Sequence, residues 1–165
     1  MEALLATPVG IVELMAGKLI PYFILGMLTM ALATGTALFV FGVPFRGSFA
    51  ILALMSAVFL TTALGQGLLI STVTRNQLVA AQATLISAFL PSFFLSGFVF
   101  EIAGMPLPLQ ILSYAVPARY FVAVLQTLFL AGDVWSVIWP NLAAMVLIAT
   151  VYLTLTALKT KTRLD

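Results

Sequence analysis

Long apolar stretches without charge organise the chain. Residues 19–45, 47–74, 76–100 and 134–158 contain no Asp, Glu, Lys or Arg. Each exceeds the roughly 20 apolar residues that cross about 30 Å of hydrocarbon as a helix. A charge at the bilayer centre costs about 2.5 to 3.5 kcal/mol even on the lenient insertion scale, so gaps of this length predict four transmembrane helices. Period-two alternation is absent, which disfavours a barrel. The stretch 102–132 differs: Pro106, Pro108 and Pro117 interrupt it and Arg119 divides it, so neither uncharged piece spans. Two short helical arms joined at a proline predict a re-entrant hairpin, tolerated at membrane depth where protein or a water-filled cavity satisfies the backbone. Residues 118–131 form its second arm, closed by Gly132 and Asp133.

Residues 1–17 predict a short interfacial helix. Thr7 suits the N-cap, Pro8 the first helical position and Gly17 the stop, with Ile11, Val12, Leu14 and Met15 as an apolar side and Lys18 as an anchor at the start of the first span. Glu2 and Glu13 make the segment unlike a signal peptide. If the hairpin does not cross, Lys18, Arg75, Lys159, Lys161 and Arg163 fall on one side and only Arg46 and Arg119 opposite, so the positive-inside rule predicts cytoplasmic termini. Phe39, Phe41, Phe45, Phe49, Phe98, Phe100, Trp135 and Trp139 then gather as an aromatic belt at the outer interface. Small residues at spacing four (Ala53, Ala57, Thr61, Gly65; Ala63, Gly67, Ser71; Ala80, Thr84, Ala88) predict that the second and third spans face the bundle, and Pro91 predicts a bend in the third.

Composition narrows the function. The chain has 165 residues, is 63% hydrophobic and 7% charged, and its mean hydropathy is +1.21; this excludes a water-soluble globule. A net charge of +2 provides no basic patch for nucleic acid. With neither Cys nor His, thiol nucleophiles, imidazole bases and the usual zinc ligands are missing, so no enzyme and no metal site is expected. Gln66, Gln82, Ser87 and Asn141 make the spans locally polar, with interhelical hydrogen bonding the expected role of the two glutamines. No span holds an ionisable group near its middle, against a proton- or ion-driven secondary transporter. There is no GxxxxGK[ST] loop to cradle ATP.

Three stretches carry a resemblance. Leu5-Ala6-Thr7-Pro8 followed by Glu13-Leu14-Met15-Ala16-Gly17-Lys18 is similar to a cytoplasmic coupling-helix segment leading into a transmembrane helix. Leu95-Ser96-Gly97-Phe98-Val99-Phe100, then Met105-Pro106 and Leu109-Gln110, looks like the approach to a re-entrant extracellular hairpin. Pro117-Ala118-Arg119-Tyr120-Phe121 with Leu128-Phe129-Leu130-Ala131-Gly132 matches its second arm. In this order and spacing the chain resembles the permease subunits of ABC-2 type transporters over nearly its whole length, 1–165. The family's first transmembrane helix and extracytoplasmic domain have no counterpart before the coupling segment, which implies the C-terminal part of a permease, truncated or split. Glu101 stands where many relatives carry proline.

The resemblance implies an all-α permease in the bacterial inner membrane, paired with a second permease subunit and with cytoplasmic ATP-binding subunits that carry ATP and Mg; this chain itself binds no cofactor. It implies coupling contacts at Thr7, Pro8, Val9, Glu13 and Lys18, and outer rim or gate residues at Glu101, Met105, Pro106, Pro117 and Arg119. The competing expectation is a structural or pore-forming, holin-like membrane protein working without ATP, which would not need the Thr7 to Lys18 segment.

Overall fold

The computed structural model describes residues 10–74 and 76–161. Every regular element among them is helical. The long helices are α1 (Ile11–Phe39), α2 (Phe49–Val73) and α3 (Gln77–Phe94), followed by two short arms, α4 (Leu107–Ser113) and α5 (Pro117–Leu130), and by α6 (Trp135–Lys161). α1, α2, α3 and α6 are each long and apolar enough to cross a membrane, and the arms meet at 84°. The four uncharged gaps and the proline-broken stretch between the last two thus correspond to the observed elements.

The limits of the first span differ from those expected. α1 runs through Gly17 without a stop, so residues 11–17 belong to the long helix; Thr7, Pro8 and Val9 lie outside the described residues. A helical glycine costs only about 1 kcal/mol, and its neighbours Leu14, Met15, Ala16, Lys18 and Leu19 are good helix formers. The helix therefore runs past Gly17, and it runs past Pro21 as well. At its other end α1 stops at Phe39 and not at residue 45. Gly42 takes φ 62°, Pro44 follows, and the Phe41 N–H turns back to the Thr36 carbonyl at 3.2 Å.

α3 departs from a straight span in a way Pro91 explains. Proline has no N–H to give to the carbonyl four residues back, which is that of Ser87. The helix widens into a π-turn over Leu85–Phe89, with the Leu90 N–H bonded to Leu85 O, and the side-chain amide of Gln66 on α2 donates to the released Ser87 carbonyl at 3.4 Å. The helix then ends at Phe94, short of residue 100.

α2 is the central helix, packed on α6, α5 and α1. Leu52 and Met55 from α2, Phe121, Val124 and Leu128 from α5, and Ile138 and Met145 from α6 form the core. Val124, Leu128 and Met145 are fully buried. Gly65 lets α6 approach, since a Cβ there would meet Leu153 at 3.3 Å. Thr62 Oγ1 donates to Val58 O at 2.8 Å and reaches Met145 O on α6 at 3.4 Å.

Only part of the small-residue expectation holds within the chain. α2 buries Leu52, Met55, Ser56, Thr62 and Gly65, while Ala63 and Ser71 stay exposed. α3 fully buries none of its residues, but Ala80, Thr84 and Ala88 lie on its half-buried side, the one toward α2, so the stripe faces the bundle from the edge. The bundle core is completed by α5, leaving α3 at the periphery with Leu85, Ile86 and Phe89 exposed.

Candidate functional site

The hairpin is built by prolines and closed by one arginine. Pro108 sits in the first turn of α4 and Pro117 in that of α5, where the missing N–H has no intrahelical partner to lose. Between the arms, the Arg119 guanidinium donates to Gln110 O at 3.3 Å and to Ser113 Oγ, and lies 3.8 Å from the centre of the Tyr114 ring. Ser113 is fully buried and donates in turn to Gln110 O at 2.6 Å. The Tyr120 hydroxyl donates to Tyr114 O at 2.6 Å. The last carbonyls of α4 are orphans of helix geometry: the N–H groups of Tyr114, Ala115 and Val116 meet those of Ile111, Leu112 and Ser113, and Arg119 from the first turn of α5 meets that of Gln110.

α5 runs antiparallel to α2: the Arg46 N–H at the approach to α2 bonds Leu128 O at 3.2 Å, and further along Phe59 stacks on Phe121 with centroids 4.6 Å apart. At a rise of 1.5 Å per residue, Arg119 lies roughly 17 Å along α5 from Leu130. The sequence places Arg119 with Arg46 at the outer end; the structure separates them by most of α5, and Arg119 holds the elbow instead.

Arg46 and Asp133 form a second junction that the linear sequence does not reveal. The Arg46 guanidinium donates to Leu130 O at 3.3 Å, placing a cation on the C-terminal carbonyls of α5. Asp133 Oδ1 accepts the Ser48 N–H at 2.7 Å, placing an anion at the start of α2. Both signs are the favourable ones for the helix dipoles. The backbones approach closely: a Cβ at Gly47 would meet Leu128 Cδ2 at 2.6 Å, and Gly132 takes φ 94° with Arg46 O 3.1 Å from its Cβ position.

The Leu95 to Phe100 motif makes the turn into the hairpin. Ser96 is buried and its Oγ accepts the Phe98 N–H at 3.4 Å, while Gly97 takes φ 87°, a conformation glycine adopts without strain. Beyond it the Gln110 amide donates to Met105 O at 2.8 Å, fixing α4 to the turn at Ile102–Gly104. Glu101, Met105 and Pro106 come together on one open cleft of about 690 Å³, walled on the α3 side by Leu90, Phe94 and Phe100 among others. The Phe94 and Phe100 rings stack with centroids 6.0 Å apart. Pro117 lines a different pocket of about 290 Å³, with Gln66, Ser87, Pro91 and Tyr152.

At the opposite end of the bundle, Lys18 lines a polar recess of about 220 Å³ with Ser71, Thr72, Thr156 and Thr160, which brings the beginning of α1 together with the ends of α2 and α6. Glu13 caps α1, its Oε2 accepting the Gly10 N–H at 3.3 Å. Among the described residues no group of three or more acidic side chains could hold a metal ion.

A chain with four such helices and a sharply broken helix pair between the third and the fourth is, by class, a multi-spanning helical membrane protein. It belongs to the ABC-2 transporter family: the family model described as "ABC-2 family transporter protein" matches residues 1–158. The chain is 52% identical over 165 residues to the probable multidrug ABC transporter permease YbhS of Escherichia coli K12, covering 100% of this chain and 44% of that relative. It is 28% identical over 149 residues to the probable multidrug ABC transporter permease YbhR of the same organism, covering 86% and 39%. It is 25% identical over 163 residues to the inner membrane transport permease YhhJ, also of E. coli K12, covering 96% and 42%. The chain thus spans less than half the length of these relatives. No solved structure matches it at a significant level.

Proposed function

We propose that the chain is the membrane-spanning part of an ABC exporter permease, working as a dimer with a like or unlike permease and coupled to separate cytoplasmic ATP-binding subunits that hold ATP and Mg. The observation that carries this reading is the family match over 1–158. The permease names of the relatives agree with it. The multidrug wording of two of them suggests diverse amphiphilic substrates here too. The chain catalyses nothing itself; its work is to change conformation when a partner hydrolyses ATP.

In this reading Lys18, Lys159 and Lys161 face the cytoplasm, as the positive-inside rule requires, and the Arg46, Asp133 and Glu101 end faces outward. Thr7, Pro8, Val9, Glu13 and Lys18 meet the ATPase. α1 favours such transmission: with no break at Gly17, a displacement of its first turns is passed rigidly to the span, and differential ATPase contact biases the bundle between two states. Glu101, Met105, Pro106, Pro117 and Arg119 belong to an outer gate formed by the hairpin.

Purification of the intact protein from its own membranes in mild detergent tests the reading. A P-loop ATPase is expected to co-purify, and vesicles reconstituted with both are expected to export an amphiphilic dye only with hydrolysable ATP. Export by the protein without any nucleotidase would overturn it.

A further inference from the structure

The cleft that gathers Glu101, Met105 and Pro106 has a chemistry more specific than a greasy groove. Its volume, about 690 Å³, lies in the range of small-molecule sites, roughly 300 to 1,000 Å³. Its walls are aromatic and aliphatic, with Phe94, Phe100, Leu90 and the adaptable thioether of Met105. Among the described residues Glu101 is the only ionisable one lining it, and no donor meets its carboxylate. The arginine of the hairpin cannot neutralise it, being bonded to Gln110 and Ser113 and stacked on Tyr114.

We propose that this cleft binds lipophilic monocations, amphiphiles carrying one delocalised positive charge on an apolar body. The carboxylate supplies the counter-charge, the faces of Phe94 and Phe100 attract the cation through their quadrupoles, and the apolar wall takes the body. An acyl chain or a neutral amphiphile would use the wall and leave Glu101 unmatched. The α3 wall can adjust to ligands of different shape, because it carries both the π-turn at Leu85–Phe89 and Pro91, features that loosen a helix. The proposal rests on the exporter reading for its purpose, and on the cleft alone for its chemistry.

Equilibrium binding without nucleotide keeps the two apart. The intact protein in phosphatidylcholine nanodiscs is titrated with radiolabelled tetraphenylphosphonium and, in parallel, with the neutral triphenylphosphine oxide. Glu101→Gln is expected to weaken the phosphonium at least tenfold and to leave the neutral compound within twofold. Because the Glu101 side chain is exposed and bonds nothing among the described residues, this variant is expected to fold as the parent does. Phe100→Leu keeps the apolar volume, removes the ring, and is expected to weaken the cation several-fold. Unchanged phosphonium affinity in both variants overturns the proposal, as does an equal loss for both compounds in Glu101→Gln. Failure of the parent protein to bind phosphonium, as when a second copy covers the cleft, overturns it too. In each of these cases ATP-dependent export is measured separately and stands or falls by itself.

Discussion

Arg119 donates to the end of one helix from the start of the next and stacks on a tyrosine between them. A lysine there would keep the charge and lose the planar fork and the stacking face. Arg119→Lys is therefore expected to lower the stability of the detergent-solubilised protein by about 1 to 2 kcal/mol, read as a fall in its thermal midpoint. Gln66 fills a comparable role for Ser87. Gln66→Leu leaves that carbonyl with neither a helical nor a side-chain donor, and a loss of about 1 kcal/mol is expected, while Gln82→Leu, at an exposed position, should change the midpoint little. The need for donors at a proline-released carbonyl was legible in the sequence from Pro91; the identity of the donor was not, because Gln66 and Gln82 are equivalent until α2 and α3 are set side by side.

At the scale of elements, charge gaps located every long helix but not its ends. The stop at Phe39 depends on Gly42 and Pro44 acting together, and the continuation through Gly17 depends on the good helix formers on both sides of it, which outweigh the cost of one glycine. Hydrogen exchange tests the account of α3. Pro91→Ala restores the missing donor, so exchange at residues 85–91 is expected to slow as the π-turn closes to regular helix; unchanged exchange would show that the turn has another cause. The start of α1 offers a functional counterpart. Glu13→Gln keeps an acceptor for the Gly10 N–H and removes the charge, so helix content should persist while ATP hydrolysis loses its link to dye export, measured as ATPase turnover per dye exported.

Over the whole molecule, the sequence supplied the class and the four helices long and apolar enough to span, and the proline pattern supplied the broken pair. It could not supply the junction of Arg46 and Ser48 with Leu130 and Asp133, since nothing in a single chain marks two charges so far apart as neighbours. Topology can be read with single cysteines, as the chain has none of its own. Ser113 is a poor site because it is fully buried, but Gln77 at the start of α3 and Ala103 in the turn that follows α3 are exposed. Ala103→Cys is expected to react with an impermeant maleimide on intact cells and Gln77→Cys only after permeabilisation; the same pattern for both would reject the four-span arrangement. The close approach at Gly47 and Gly132 has a mechanical meaning as well. Because the segment entering α2 donates from Arg46 and Ser48 to Leu128, Leu130 and Asp133 at the end of α5, with no room for a side chain between them, the two helices work as a single lever: tilting the central helix carries the neighbouring arm along.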